Sequence, residues 1–446
     1  MMNHEIPSPE KAHRAAVGTR RGAVGFSDTY KFYDRRGAVF IIALAITVIL
    51  SAMLLVFARQ MRVEATSSAN RLAAAQADGV EQGAEQWVLA QVEANTPVLP
   101  STGGGGTSLS TSTAVDVTTI PAEALQVGGG YFWLLHPDPL QDQTYAFGIV
   151  DESGKLNLNG ATSDQLMNLP NMTQDVADAI TTWSSSVSTA GQTGTGGAAS
   201  ATIPFESVEE ILLAETQSPP AIPQLLYGYD LNRDGVIDAT ERAAANGAAQ
   251  TNGTTLDSRG FFNYVTVFST DAQPTTATST GGGSTAAGPG GTVVKTVGLI
   301  NVNTAPMQVL MCLPGITQAT AQSLVAARTG TTIAPGDTSW ASTALGQAQF
   351  QAITPYITGQ SYQFSADIVA VSGDGRAFKR VRIVVDARAQ PAKIIYRKDL
   401  TGLGWPLPLE VQKSLRAGQG VPQDVSGTTN TQTGTNTLPG GGNSIP

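Results

Sequence analysis

At 446 residues the chain is too long for one small domain, and two or three folded units joined by linkers are expected. Apolar residues make up 41%, enough for a sizeable core. Charged residues reach only 14% and Gly, Ser and Thr are abundant, a mix that suits an exported surface. A net charge of −9 argues against nucleic acid as a ligand, because affinity for phosphate rests on Lys and Arg.

The single cysteine, Cys312, rules out an intramolecular disulfide and, in the apolar run of residues 309–313, reads as a small core residue. Of three histidines, His4 and His13 precede the apolar segment described next, and only His136 follows it. A zinc cluster of His and Cys is excluded on ligand count, and a Ser-His-Asp or Cys-His site would depend on one imidazole. The chain is therefore not expected to be an enzyme.

Residues 38–58 (AVFIIALAITVILSAMLLVFA) carry no charge and are long enough to cross a bilayer as a helix. The segment before them holds Lys11, Arg14, Arg20, Arg21, Lys31, Arg35 and Arg36 against four acidic residues, so it is expected to stay cytoplasmic while the rest is exported. The apolar run is longer than that of a secretory signal and lacks a small-residue exit. Instead Arg35, Arg36, Gly37 and Ala38 resemble a prepilin leader, which a dedicated peptidase cuts after the glycine. The leader would then be residues 1–37 and the mature chain would begin at Ala38. The fifth mature position, usually Glu in pilins, is Ile42. An uncleaved signal anchor is the alternative. Residues 62–94 continue with helix formers, interrupted only by Gly79 and Gly83, so a single helix over 38–95 is expected.

Strands are expected at 131–135 and 145–150, where aromatic and β-branched residues concentrate. Near the C-terminus, residues 361–371 and 377–387 flank Gly373, Asp374 and Gly375 as a hairpin, with Phe364, Ile368, Val369, Phe378, Val381, Ile383 and Val385 as its apolar set. Residues 394–396 offer one more strand. Between these strands lies a sequence repeat at an offset of 144. Asn157, Leu158 and Asn159 match Asn301, Val302 and Asn303, and residues 166–174 (LMNLPNMTQ) match 310–318 (LMCLPGITQ). Each copy reads as a short helix, a tight Leu-Pro-Asn or Leu-Pro-Gly turn, and a second helix capped by Thr. This unit resembles a helix-hairpin-helix. Basic residues do not cluster at either turn, which favours a structural role over a phosphate-binding one.

Residues 230–241 (DLNRDGVIDATE) fill every position of a twelve-residue EF-hand loop. Asp230, Asn232, Asp234, Asp238 and Glu241 supply side-chain oxygens, Val236 its carbonyl, and Gly235 the sharp turn. Calcium, a hard ion needing six to eight oxygens, is the expected cofactor. Its role would be structural, and Ile237 would anchor the loop. Stretches of Gly, Ser, Thr, Ala, Asn and Pro at 101–113, 184–201, 243–255 and 273–292 read as surface loops, and the C-terminal end as a disordered tail.

Taken together the leader, residues 148–159 (GIVDESGKLNLN), 205–212 (FESVEEIL) and 300–305 (INVNTA) resemble general secretion pathway protein K, the minor pseudopilin of type II secretion. Family members often carry acidic residues after the counterpart of Trp183, where this chain has Ser184, Ser185 and Ser186.

The resemblance implies an α+β protein, with a long N-terminal transmembrane helix and a pilin-like head built on an antiparallel sheet. Into the head is set a large helical insertion of helix-hairpin-helix or SAM-like type. The segments would be 1–37 leader, 38–95 helix, 96–152 first part of the head, 153–355 insertion, 356–410 C-terminal strands and 411–446 tail. It further implies a place at the pseudopilus tip, a single pass through the inner membrane and a periplasmic C-terminal domain. The partners would be minor pseudopilins I and J, the inner-membrane secretion platform and the prepilin peptidase. A minor pilin of a type IV pilus and a membrane-anchored DNA receptor remain the alternatives.

Overall fold

The structure is a computed structural model that describes residues 36–96, 117–120, 122–138, 144–189, 204–213, 222–244, 259–273, 294–329, 333–334 and 336–422. Residues 1–35 of the expected leader, the expected loop 101–113, most of the other three expected loops and residues 423–446 of the expected tail lie outside them. The chain divides into two units, Met1–Thr66 and Ser67–Pro446. One helix, Arg36–Asn95, supplies the described part of the first and the opening of the second.

In the first unit the large apolar side chains from Val39 to Val63 are exposed on every side of the helix. A helix that is apolar all round is suited to lipid rather than to one packed face. Among the described residues it is the one helix long and apolar enough to cross a membrane.

The strands of the second unit are, in chain order, β1 (Leu125–Val127), β2 (Gly130–Pro137), β3 (Tyr145–Phe147), β4 (Val150–Asp151), β5 (Leu156–Asn157), β6 (Val265–Thr266), β7 (Thr270–Gln273), β8 (Val294–Val297), β9 (Ile300–Asn301), β10 (Ile357–Thr358), β11 (Gln363–Val371), β12 (Phe378–Asp386) and β13 (Lys393–Asp399). Seven of them form one antiparallel sheet along the path β1-β2-β11-β12-β13, with β3 added to β2 and β4 to β11. Ile368 at its centre faces Leu134 on one side and Val381 on the other.

Alternation along the strands sends two apolar sets to opposite faces. Phe132, Leu134, Phe364, Ile368, Val381, Ile383 and Val385 pack against the long helix, which presents Val80, Ala84, Val88 and Val92 at intervals of four. Gly83 belongs to this contact, since a Cβ there would stand 2.6 Å from Val127 Cγ1. Trp133, Leu135, Val369 and Val371 occupy the other face with Phe378, which therefore does not join Val381, Ile383 and Val385 as expected. That face is covered by Leu407, Val411 and Leu415. The last two belong to a helix, Leu409–Arg416, so the tail expected from residue 411 is corrected: Val411 and Leu415 are apolar at a four-residue spacing and fold back onto the sheet.

The insertion has its own core, in which Leu158, Leu166, Ile180, Val302, Leu310 and Leu324 are fully buried, with Cys312 among them. Both repeat copies fold as two helices around a turn, Ser163–Leu166 with Gln174–Thr189 and Met307–Leu310 with Gln318–Thr329. At the turns Asn171 (φ 61°) and Gly315 (φ 72°) take the same left-handed conformation. The Thr cap holds in the second copy, where Thr317 Oγ1 accepts from Thr320 N at 3.3 Å. In the first, Thr173 Oγ1 is buried without a hydrogen bond.

The insertion is expected to be helical over 153–355, but each copy is also closed by a parallel two-residue strand pair, β5 with β6 and β9 with β10. Leu158 N donates to Thr266 O at 2.9 Å, and Val302 N to Thr358 O at 3.1 Å. The antiparallel pair β7–β8 lies between the copies. Of the expected loop at 184–201, residues 184–189 continue the helix Gln174–Thr189.

Candidate functional site

Where β4 leaves the sheet, Asp151 and Glu152 are both buried and both gather long-range partners. Asp151 Oδ1 accepts from Ser153 N at 2.7 Å, capping the turn Glu152–Gly154. Its Oδ2 accepts from Asn301 Nδ2 at 2.9 Å, Thr304 Oγ1 at 2.5 Å and Ser361 Oγ at 2.6 Å. Glu152 accepts from Lys155 Nζ at 2.6 Å, from Ser365 Oγ at 2.5 Å and from Thr266 Oγ1. These two carboxylates therefore join the sheet to the strand ends that close both repeat copies.

Burial raises the Asp151 carboxyl above its usual range despite its donors. For Glu152 burial acts the same way, but the Lys155 ammonium and the Ser365 and Thr266 hydroxyls outweigh it and hold the carboxyl below its usual range.

The two matched asparagines play equivalent parts. Asn157 Oδ1 accepts from Asn159 N at 2.9 Å, and Asn301 Oδ1 from Asn303 N at 3.0 Å. Asn159 then bonds Phe205 N and O, while Asn303 Nδ2 reaches Asp337 O and Gly359 O and its Oδ1 accepts from Trp340 Nε1. The N-x-N pattern is thus a pair of side-chain knots that fix each hairpin to the segment following it.

The twelve-residue loop follows a short helix, Ile222–Tyr227, and leads into a helical turn at 239–244. Its end residues Asp230 and Glu241 are buried. Asp230 accepts from Asp234 N at 3.1 Å and Gly235 N at 2.9 Å, Asn232 Oδ1 from Asp234 N at 2.8 Å, and Asp234 Oδ1 from Val236 N at 2.9 Å. Glu241 reaches back to accept from Leu231 N, Asn232 N and Asp238 N at 2.9, 3.1 and 3.0 Å. Asp238 Oδ1 accepts from Thr240 N and Glu241 N, which starts the helical turn.

Burial, and beyond it the like charges of Asp234 and Glu241, push Asp230 up to about 6 against the pull of the Gly235 N–H. The donor set consists of hard oxygens and suits calcium. Among the described residues no three acidic, His or Cys side chains already stand as a chelating array; in the loop the carboxylates are turned onto backbone N–H groups.

Two residues that the sequence did not single out hold this loop. The Asp234 carbonyl accepts from Tyr145 Oη at 2.9 Å and from Arg380 Nη2 at 3.0 Å. Arg380 is 1% exposed, lies over the Tyr145 ring at 5.3 Å and stands 3.6 Å from Asp367, which also binds Arg382 at 2.5 and 2.8 Å. Gly235, at φ 96°, sits so close to Pro137 that a Cβ would come within 2.8 Å of its Cγ. The available signal was the strand Phe378–Asp386 itself, in which Arg380 and Arg382 alternate with Val381 and Ile383, so one face of a central strand is cationic. In the first unit, Gly37 and Ala38 stand in the first turns of the long helix and Ile42 is exposed.

Residues 300–360 match the family described as type II secretion system protein K. The protein K segment runs from β9 through the second hairpin to β10 and the residues just after it, and so contains Asn301, Asn303 and Thr304. No curated protein matches the chain. Among solved structures the chain is similar to one described as the GspK-GspI-GspJ complex from the enterotoxigenic Escherichia coli type 2 secretion system. The identity is 11% and the TM-score 0.35, with 76% of this chain and 99% of that chain covered.

Proposed function

We propose that this protein is the minor pseudopilin K of a type II secretion system, a structural subunit that caps the pseudopilus tip and helps start its assembly. The observation that carries this reading is the matched segment at 300–360, in a chain whose long N-terminal helix is uncharged over residues 38–58 and exposed there from Val39 on.

In this reading the helix from Ala38 anchors the subunit by a single pass in the inner membrane, and the unit from Ser67 onward is periplasmic. Its partners are minor pseudopilins I and J and the inner-membrane platform, and the prepilin peptidase cuts between Gly37 and Ala38. Ile42, in place of the usual glutamate, offers no carboxylate to the N-terminal amine of a neighbouring subunit, which suits a terminal position. The subunit carries out no chemistry.

Calcium belongs to the same proposal. Asp230, Asn232, Asp234, Asp238 and Glu241 with the Val236 carbonyl would hold it, and the ion would neutralise a loop in which burial, with the like charges of Asp234 and Glu241 behind it, pushes Asp230 up to about 6.

The test is the N-terminal sequence of the membrane-extracted protein, made with and without its prepilin peptidase. A chain that begins at Ala38 only when the peptidase is present supports the assignment. A chain that keeps Gly37 in both cases makes it an uncleaved signal anchor and removes the pseudopilin reading.

A further inference from the structure

Between the sheet and the insertion lies a cleft of about 430 Å³, within the range of small-ligand sites. The end of β2 with His136, the turn Glu152–Lys155 below β4, and Asp367 and Arg382 of the central hairpin form one side. Asn303, Thr304, Pro306 and Arg328 of the second repeat form another, and Phe262, Phe268 and Tyr396 add aromatic wall.

Most charges on these walls are already matched. Glu152 pairs with Lys155 at 2.6 Å, Asp367 with Arg382 at 2.5 Å, and Glu209 with Lys398 at 2.6 Å. Arg328 differs. Its Nη1 donates to two neutral acceptors, Ala305 O at 2.5 Å and Val302 O at 3.3 Å, and no carboxylate among the described residues forms an ion pair with it. A guanidinium cannot shed its proton to escape burial, so its remaining donors favour an anionic partner. His136 brings the opposite valence. Its Nδ1 lies 3.0 Å from Pro137 O, a group that can only accept, so Nδ1 carries the proton and Nε2 keeps its lone pair.

We propose that this cleft binds a carboxylate borne on an apolar body, with Arg328 pairing the carboxylate, the aromatic wall covering the apolar part, and His136 Nε2 accepting from a neighbouring N–H. An N-acylated amino acid and the C-terminal residue of a peptide both present this chemistry. A guanidinium and a carboxylate match as a planar fork, whereas the matching amide offers a donor where the site already has one.

The test is ligand-observed saturation-transfer NMR on the full chain in detergent, with N-acetyl-phenylalanine, its amide, and N-acetyl-Ala-Ala-Phe as probes. The acid should give transfer, and the amide should bind at least tenfold more weakly. Tighter binding of the tripeptide assigns the site to a peptide C-terminus; equal or weaker binding assigns it to a small free carboxylate. Arg328→Gln should abolish transfer. Because Arg328 also holds two backbone carbonyls, Ser207→Trp, at a half-buried lining position, tests the same cleft with Arg328 intact and should also abolish it. Equal transfer from acid and amide, no transfer from either at millimolar concentration, or undiminished transfer in Ser207→Trp overturns the proposal.

Discussion

Asp151 and Glu152 are neighbours, equally buried, and shifted in opposite directions, and the difference lies in one ammonium group. Asp151 is held by neutral donors alone, whereas Glu152 also faces Lys155. A carboxyl held below its ordinary 4.5 adds stability that is fully present above that value and lost as the pH falls through its folded-state value. Glu152→Gln should therefore cost about 2 kcal/mol near pH 7, the scale of a charged hydrogen bond. The difference from wild type should shrink toward pH 3.5 in denaturant titrations. An equal loss at both pH values would mean that packing, not charge, is responsible. Cys312 is buried and its thiol is pushed up to about 12, so it should not react with an aromatic disulfide reagent at pH 8 until denaturant unfolds the insertion core.

At the scale of elements, the two glycines of the long helix separate what helix propensity favours from what packing allows. Gly79 has open space around its Cβ position and Gly83 has Val127 there. Gly79→Ala should stabilise the second unit by about 0.5–1 kcal/mol. Gly83→Ala should destabilise it by about 1 kcal/mol net, because overpacking outweighs the same propensity gain. Thermal melts of the two variants check this.

For the calcium loop, chelation should lower the melting temperature of the wild type and leave Asp230→Ala unchanged. A wild type indifferent to chelator would refute calcium binding. The helical hairpins were legible because the offset of 144 is ungapped from Asn157 to Gln174. The strands that close them were not, because β6 and β10 are two residues long. Ile357 also follows Val265 by 92 residues rather than 144, since the first copy holds the acidic loop between hairpin and closing strand. Arg380 and Tyr145 escaped notice for a related reason: what they bind is a backbone carbonyl, Asp234 O, which no side-chain pattern encodes.

For the molecule as a whole, the sheet has both faces covered, one by the long helix and one by the segment 405–416, which composition alone had assigned partly to a tail. Val411 is fully buried there. Val411→Asp should cost about 3 kcal/mol or more, as an unpaired buried charge does, and should lower the melting temperature of the second unit. An unchanged melt would show that the helix Leu409–Arg416 contributes no stability.

The sheet topology also sets an order in time. β2 has β11 as its central neighbour, with Leu134 beside Ile368, and Asp151 waits for Ser361 across 210 residues. Among the described residues β11 alone takes that place beside Tyr131–Leu134. The early strands therefore stay without their sheet until the ribosome has passed residue 371, and the head closes late and all at once around an insertion that has its own core and can condense first. A chain interrupted anywhere in the insertion would leave β2 and β4 without β11 and so with open edges, so completion of synthesis is itself the checkpoint for a folded head.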